Sequence, residues 1–448
     1  MFDGTRELRL GAEEPKSVLF YRDYRLYLAT SFFSAIATQA QTVAVGWQIY
    51  AVTHSALALG YAGLMPFVPI LLFLLPAGNL ADRLDRRILM VLAYLVQTGV
   101  SALFLVLTVQ GVSSAWPFYL VLLLLGAGRA LGWPARQSFL PLLVPQGLFA
   151  QAISWSGAAF QTATILGPAL GGLMYLLGPA VVYATCAVTM FAMAAATLAI
   201  RTSGRARGAS PEPAGFRRLI AGVEYVWSNP LLLGGMALDF LAVLLGGATA
   251  LLPIYARDIL RVGPTGLGLL RAAPALGAAC VGVMLGRTPI REKAGRKMFA
   301  CVALFGAATI VFGLSHNFAL SLAALATLGA ADMVSVYVRG TIAQLATPDE
   351  MRGRVSAVNG IFISGSNELG EFESGVTAAW FGTVAAVIIG GAGTLAVVAA
   401  GWWLFPELRD IEDPGEVTPA PKQAGTGGPS GTSFQSDPSS RRATQRQS

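Results

Sequence analysis

Several ionisable residues lie within long apolar stretches of the sequence, where charged side chains are not expected. Arg271 and Glu373 are among them, and the five candidate site residues are Arg129, Asp239, Asp332, Glu368 and Glu371. Ionisable groups in apolar spans are costly, and they usually mark a path for ions, protons or a ligand. A carboxylate can carry a proton, and a guanidinium can bind an anionic group. These residue types therefore predict a site for protons and a charged small molecule.

Glu368 and Glu371 are three residues apart. On a helix this spacing separates them by about 60° around the axis, so the two carboxylates share a face. Two carboxylates so close in a low dielectric do not both ionise, which allows one of them to hold a proton at neutral pH. Glu373 points to another side of the same helix. The alternative is that these carboxylates hydrogen-bond to the backbone of a neighbouring helix.

Arg129 and Asp332 are related by an internal repeat. They are 203 residues apart, as are Arg136 and Arg339. Equivalent positions in two halves of one fold predict that Arg129 and Asp332 face each other across a central cavity. The alternative is that each group snorkels to the surface or pairs within its own half.

The elements that position these residues are membrane helices. Hydrophobic residues make up 54% of the 448 residues and charged residues only 12%, against about 25% charged in soluble domains. Residues 26–81, 88–128 and 137–200 contain no charge, and one crossing needs about 20 residues. Transmembrane strands are excluded because the runs show no alternation. We therefore predict an all-α membrane protein with twelve transmembrane helices in two six-helix repeats.

This reading divides the chain into four parts. They are an N-terminal six-helix bundle (1–200), a basic cytoplasmic linker with an amphipathic helix (201–229), a C-terminal six-helix bundle (230–405) and a disordered cytoplasmic tail (406–448). Of the 31 Lys and Arg residues, 27 fall on the side of the amino terminus and two in loops on the other side. The positive-inside rule then predicts a multi-pass protein of the bacterial plasma (inner) membrane with both termini in the cytoplasm.

The connection after the second helix carries a charge cluster that can latch one conformation at the cytoplasmic face. Its residues are Gly78, Asp82, Arg83, Arg86 and Arg87. This spacing resembles the loop 2–3 signature of the major facilitator superfamily, except that Asp85 stands where that family usually has Gly. The resemblance implies a cytoplasmic gate. The alternative is that these charges only set the topology.

The fifth helix contains a second motif, composed of Gly167, Pro168, Gly171 and Gly172. It resembles the motif carried by exporters of the superfamily. Residues 133–136, 368–375 and 405–409 resemble the bacterial transmembrane secretion effector branch, which includes the enterobactin exporter. The resemblance runs from Tyr21 to Arg409 and implies export, although Thr164 stands where family members often carry Arg.

Other classes of function find no support in the sequence. It has no phosphate-binding loop, no arrangement for nucleophilic catalysis and no metal-ligand spacing around its two His residues. We therefore expect neither an enzyme nor a cofactor, metal or nucleic-acid partner. We predict a monomeric secondary transporter that exports a siderophore- or drug-like molecule by alternating access, as a proton antiporter in the lipid bilayer. The alternatives are an importer of a metabolite or lysolipid, and a membrane scaffold or sensor that does not transport.

Overall fold

Helices account for nearly all of the described chain. The computed structural model describes residues 17–205 and 216–416, with residues 74–79, 81–83, 216–219 and 416 described by their backbone alone. The first half contains α1 Arg22–Thr53, α2 Ala56–Arg83, α3 Arg86–Val109, α4 Trp116–Leu143, α5 Phe149–Met174 and α6 Pro179–Leu198. We call the end of the bundle that holds the α1–α2 turn the distal end, and the opposite end the proximal end.

The second half is also helical, and its helices are more numerous and more interrupted. It contains α7 Phe216–Ser228, α8 Pro230–Leu245, α9 Leu252–Ile254, α10 Gly263–Arg287, α11 Ala294–Leu314, α12 Phe318–Leu345, α13 Asp349–Phe381, α14 Thr383–Leu404 and α15 Pro406–Arg409. Among the described residues, ten segments are long and apolar enough to cross a membrane. Helices α1 and α13 are not among the ten. Because so many segments qualify, the chain is a multi-pass membrane protein.

Exposed tryptophans mark both ends of the bundle. Trp116 and Trp380 lie at the distal end, Trp227 and Trp403 lie at the proximal end, and all four side chains are more than two-thirds exposed. Tryptophan concentrates at the two interfaces of a bilayer, where an apolar ring meets a polar surface. The two sets therefore mark the levels at which the helices leave the lipid.

The helices pack in corresponding pairs within each half. In the first half α1 packs on α5, α2 on α4 and α3 on α6, and in the second half α8 packs on α13, α10 on α12 and α11 on α14. Two crossings join the halves, α2 with α13 and α5 with α10. Because lipid tails are as apolar as the helices, no hydrophobic driving force brings helices together in a bilayer. Close packing through small residues stabilises the helix pairs instead.

The first span of the second half is broken near its distal end, although the sequence predicts continuous membrane helices. Helix α8 ends at Leu245, and a 3-10 turn, α9 and a π turn at Tyr255–Ile259 follow. The break falls at Gly246 and Gly247. A Cβ on Gly247 would lie 2.9 Å from the backbone of Gly370 on α13, and the Gly247 carbonyl accepts a hydrogen bond from Ser374 Oγ at 3.0 Å. Non-helical backbone at membrane depth is tolerated where protein covers it or where it lines a cavity.

Residues 406–416 pack on the proximal surface rather than belonging to a disordered tail. The amides of Ala294 and Gly295, at the start of α11, donate to the carbonyls of Glu412 and Ile411 at 3.0 and 3.1 Å. These bonds satisfy amides that a helix start leaves unpaired. A hydrogen bond from a neighbouring arginine lowers the pKa of Asp410 nearby. The remainder of the predicted tail, residues 417–448, lies outside the described residues.

The short helix α7 lies where the sequence predicts an amphipathic helix. Tyr225 Oη donates to the carbonyl of Ala346 at 2.9 Å, and Val226 is buried. A Cβ on Gly222 would lie 3.0 Å from the carbonyl of Arg354 on α13. One side of α7 is therefore fixed to the second half, while Val223 and Trp227 are exposed.

Candidate functional site

A cavity of about 220 Å³ lies between the two halves of the bundle. Helices α1, α2 and α4 line it from the first half, and α10, α13 and the broken segment after α8 line it from the second. Four charged residues reach it: Arg129, Arg271, Glu368 and Glu371. Three of these are predicted site residues, and the spacing of Glu368 and Glu371 brings both to the same cavity. The formal charges of the four balance.

Arg271 and Glu371 form the ion pair of this cavity. Arg271 Nη2 lies 3.6 Å from Glu371 Oε1, with side chains 18% and 25% exposed. Glu371 also packs against α2, because a Cβ placed on Gly63 would lie only 2.6 Å from the Cβ of Glu371. The missing side chain at Gly63 thus makes room for Glu371, which is held between its counter-ion and the opposite half.

Arg129 and Glu368 have no such partner. Neither forms an ion pair or a hydrogen bond with any residue in 17–205 or 216–416 whose side chain is described. Both side chains are half-buried. A guanidinium and a carboxylate therefore face the cavity from opposite halves with their hydrogen-bonding capacity unused.

The cavity also has a polar wall on α1, which sequence reasoning missed. Gln39, Gln41 and Thr42 line it, and Gln41 Oε1 accepts a hydrogen bond from Ser101 Oγ at 2.5 Å. The cluster of uncharged polar residues inside an otherwise apolar run could have indicated this wall from the sequence. Arg271 also lines the cavity but is not among the predicted site residues. Its position as a charged residue inside a predicted membrane span could have indicated it.

Asp239 and Asp332 belong to a separate cluster inside the second half. Asp239 forms an ion pair with Arg339, and both side chains are less than a tenth exposed. Asp332 and Ser335 share with Asp239 a small cavity of about 10 Å³. The predicted meeting of Arg129 with Asp332 is therefore wrong for this structure, since the two line different cavities. The alternative, in which the charges pair within their own half, describes Asp239.

Close backbone contacts join the halves at the distal end. A Cβ on Gly60 of α2 would lie 3.1 Å from the Cα of Gly375 on α13, and a Cβ on Gly172 of α5 would lie 3.2 Å from the Cα of Gly268 on α10. Glycine at these positions allows two helices to approach with their backbones in contact. The cavity is consequently closed on this side by two tight crossings.

A polar contact supplements these crossings. Tyr50 Oη, at the distal end of α1, donates a hydrogen bond to a carboxylate oxygen of Asp258 in the π turn. The guanidinium of Arg257 lies over the Tyr50 ring, 5.9 Å from its centroid. Tyr50 thus connects the halves at the point where the chain of the second half departs from regular helix.

Comparison with known proteins identifies the family. The model of the family described as transmembrane secretion effector matches residues 18–422. The chain belongs to this family of the major facilitator superfamily. It is a membrane transporter and not an enzyme.

Relatives and solved structures agree with this membership. The chain is 28% identical to the enterobactin exporter EntS of Citrobacter koseri, over 88% of this chain and 94% of the relative. It is also 28% identical to EntS of Escherichia coli O1:K1, over 88% of this chain and 95% of the relative. In fold it resembles an inward-facing, unoccupied bacterial homologue of the human lysosomal transporter Spinster (TM-score 0.69, 14% identity, 89% of this chain and 99% of the other).

The loop motif of this secretion effector holds together the proximal ends of the first half. Arg86 Nη1 donates to the carbonyl of Ser138 at 3.1 Å, and Arg87 Nη1 donates to the carbonyl of Ile200 at 2.6 Å. Cations near the carboxyl ends of helices are stabilised by the negative end of the helix dipole. Asp85 is the N-cap of α3 and accepts from the Arg87 amide at 2.9 Å. Its φ of −64° shows that this turn needs no glycine.

The other members of the loop motif are Gly78, Asp82 and Arg83. Their side chains lie outside the described residues. The cytoplasmic gate therefore stays a prediction for these three positions. Arg86 and Arg87 bind helix ends of their own half, as described above.

The motif in α5 contacts two different helices. Cβ atoms on Gly167 and Gly171 would overlap α1 at Gln39 and Ala40, whereas Gly172 meets α10 across the interface between the halves. Pro168 is buried within the helix. The spacing of the motif thus lets α5 pack closely on its own half and on the other half at once.

We expect Gly172→Ala to weaken the closed distal end. The added methyl would overlap the backbone carbonyl of Pro264 on α10 and would lie 3.1 Å from the Cα of Thr265, and overpacking of this kind costs about 1–3 kcal/mol. The population open at the distal end should then rise by about 5- to 150-fold. Labelling of Ala62→Cys by an impermeant maleimide on the distal side, with the native cysteines replaced, would measure it. The matched control is Gly157→Ala on the same helix, where nothing lies within 4 Å; equal labelling of the two variants would refute the effect.

We expect Tyr50→Phe to act in the same direction through a different contact. The variant removes only the hydroxyl that donates to Asp258. Because Asp258 is exposed, the loss should be about 1 kcal/mol and distal labelling should again rise about fivefold. Tyr119→Phe is the control, since its hydroxyl donates to Ala58 within the first half at 3.1 Å. Unchanged labelling in Tyr50→Phe would mean that this contact does not stabilise the closed end.

Proposed function

We propose that this chain exports a small organic molecule, siderophore- or drug-like, in exchange for protons by alternating access. The observation that carries the proposal is the cavity between the halves with two guanidiniums and two carboxylates. Buried carboxylates have no use in a scaffold or sensor, whereas they can carry protons in a transporter. The two EntS relatives are named as exporters of enterobactin, which supports the outward direction and the substrate class.

We infer a twelve-span arrangement, made of the ten apolar segments together with α1 and α13. Recurrent contacts support two six-helix repeats. A Cβ on Gly126 would meet the backbone of Pro66, and a Cβ on Gly329 would meet the backbone of Pro274. The glycines are 203 residues apart and the prolines 208, so the same contact recurs at the repeat spacing. The proposed bundles span 1–200 and 230–405, joined by the linker 201–229.

The repeat also relates Arg136, which is half-buried, to Arg339, which is buried. Arg136 Nη2 lies 3.5 Å from Ser34 Oγ in the first half, and Arg339 pairs with Asp239 in the second. Ser34 and Asp239 are 205 residues apart. A neutral contact in the first half thus corresponds to an ion pair in the second. We therefore propose that the carboxylates of the second half carry the transported protons.

The proposed orientation follows from the charge distribution. With Lys and Arg concentrated on the side of the amino terminus, the proximal end lies in the cytoplasm and the protein lies in the bacterial inner membrane. The tight distal crossings then close the periplasmic side, so the structure corresponds to an inward-facing state. We propose that the monomer is the transporting unit, since the cavity lies within one chain.

Among the candidate proton carriers, we favour Glu368. Glu371 forms an ion pair with Arg271 and Asp239 forms one with Arg339, so each of these carboxylates already has a charged partner. Glu368 faces the cavity together with Glu371 and has no cation within ion-pair distance among the described side chains, so it is the carboxyl group that is free to exchange a proton. Asp332 is the second candidate, and Arg129 is the candidate for an anionic group of the substrate.

Transport in proteoliposomes tests the function. With an acidic lumen and no ATP, we expect uptake of at least one member of a panel containing a catecholate siderophore, ethidium and a fluoroquinolone, and we expect an uncoupler to abolish it. Empty liposomes are the control. Uptake that depends on ATP would contradict proton-coupled export. Uptake in which substrate and protons enter the lumen together from an acidic exterior would contradict it as well. The second of these results is expected of an importer.

A further inference from the structure

The unpaired charges of the cavity indicate what kind of ligand completes it. Arg271 and Glu371 neutralise one another, so the unmatched groups are the Arg129 guanidinium and the Glu368 carboxyl group. The two are not within ion-pair distance of each other, and they belong to α4 of the first half and α13 of the second. A ligand that satisfies both must present an anionic group to one half and a cationic group to the other.

The geometry of Arg129 favours a planar anion. A guanidinium offers five donors in a fixed fork, which fits a carboxylate through two parallel hydrogen bonds. Leaving such a group without partners in a partly desolvated cavity is costly. No described side chain is a partner for Arg129, so a ligand carboxylate can bind its guanidinium without competition from a protein carboxylate.

Glu368 is placed to exchange a proton for a cation. The charged groups facing it are Arg129 from α4, Arg271 from α10 and Glu371 from its own helix. Helices α1 and α2 and the broken segment contribute only uncharged residues to the cavity lining. When an ammonium group approaches, the proton on the Glu368 carboxyl oxygen leaves to solvent and the carboxylate pairs with the ammonium. Charge is balanced in this step, because one proton departs as one positive group arrives.

We infer that the cavity binds a zwitterionic small molecule, with its carboxylate on Arg129 and its ammonium on Glu368, and that binding releases one proton. This inference rests on the proposed function, because it names the substrate class of the same site. It also gives the ligand a role in alternating access. A zwitterion bridges the two halves, whereas a proton on Glu368 does not, so the two occupants favour different arrangements of the halves.

The test is a matched set of probes that differ only in charge. The purified full chain in lipid nanodiscs is titrated calorimetrically with 4-(aminomethyl)benzoate, with 4-methylbenzoate and with 4-methylbenzylamine. We expect the zwitterion to bind roughly tenfold more tightly than either singly charged probe. Repeating the titration in buffers of different ionisation enthalpy should show about one proton released per zwitterion.

Three variants assign the two ends of the ligand. In Arg129→Gln the zwitterion should bind no better than the amine, while proton release remains. Arg129→Lys should restore part of the preference for a carboxylate. In Glu368→Gln proton release should disappear and the preference for an ammonium should be lost. Glu373→Gln is the matched control, since Glu373 does not line the cavity and accepts a hydrogen bond from Thr377 at 2.6 Å.

The outcomes separate this inference from the proposed function. The inference is overturned if either singly charged probe binds as tightly as the zwitterion, or if no probe binds. It is also overturned if proton release persists in Glu368→Gln. A chain that fails here but moves the panel in proteoliposomes retains its proposed function. A chain that binds the zwitterion with proton release but drives no proton-coupled transport retains the inference as a binding property and loses the function.

Discussion

Replacing Arg339 by Met should lower the free energy of unfolding of this transporter by about 3–5 kcal/mol, because it leaves a buried carboxylate without its counter-ion. Arg339 and Asp239 are 7% and 8% exposed, so water cannot compensate for the loss. Asp332 lies in the same small cavity and adds a second negative group. Unfolding of the purified protein in mixed micelles, followed by circular dichroism, would measure the change.

The repeat provides the matched control for this prediction. Arg136 lies 3.4 and 3.5 Å from the hydroxyl groups of Tyr94 and Ser34, so Arg136→Met leaves no charge unpaired and should cost about 1 kcal/mol. The double variant Asp239→Leu with Arg339→Met removes both charges and should recover most of the stability. A double variant as unstable as Arg339→Met alone would show that packing, and not the unpaired charge, causes the loss.

The architecture was predictable because the bilayer constrains it so strongly. A span must satisfy its own backbone and must be about 20 residues long, so uncharged runs separated by charged turns predict the helices. The turn between α2 and α3 at Leu84 falls between the uncharged runs 26–81 and 88–128. The break after Leu245 was not predicted, since a broken helix at membrane depth has the same apolar composition as a continuous one. Only the Gly246–Gly247 pair signalled it.

The site was predictable where helical spacing alone decides the result. Glu368 and Glu371 line one cavity because residues three apart share a helix face. Asp332 does not line the cavity of Arg129, because a repeat relates positions along two helices without fixing the rotation of a side chain towards a particular neighbour. Arg339 was not among the predicted site residues, although it lies within α12 and pairs with Asp239. The partner of a buried charge is set by packing, which the sequence pattern does not record.

Glu368→Gln should abolish the accumulation of substrate against a gradient while leaving exchange intact. One proton moving through a proton-motive force equivalent to 100 mV supplies about 2.3 kcal/mol, which supports a concentration ratio of roughly 50-fold. Glutamine keeps the size and hydrogen bonding of a protonated glutamic acid and cannot release the proton. The variant should therefore resemble the protonated state permanently, and the ratio in proteoliposomes with an acidic lumen should fall from roughly 50-fold to about one.

Exchange separates loss of coupling from loss of the transporter. Unlabelled substrate trapped inside the liposomes should still draw in labelled substrate through Glu368→Gln when both are supplied at saturating concentration, because Arg129 still binds the substrate weakly and exchange needs only the movement of the loaded cavity between the two faces. Glu371→Gln should behave differently, since it leaves Arg271 without its ion pair, so that exchange and accumulation fall together. Glu373→Gln should retain both. If Glu368→Gln accumulated substrate as well as the native chain, the proton would have to travel on another carboxylate, and Asp332 is the remaining candidate that forms no ion pair with a described side chain.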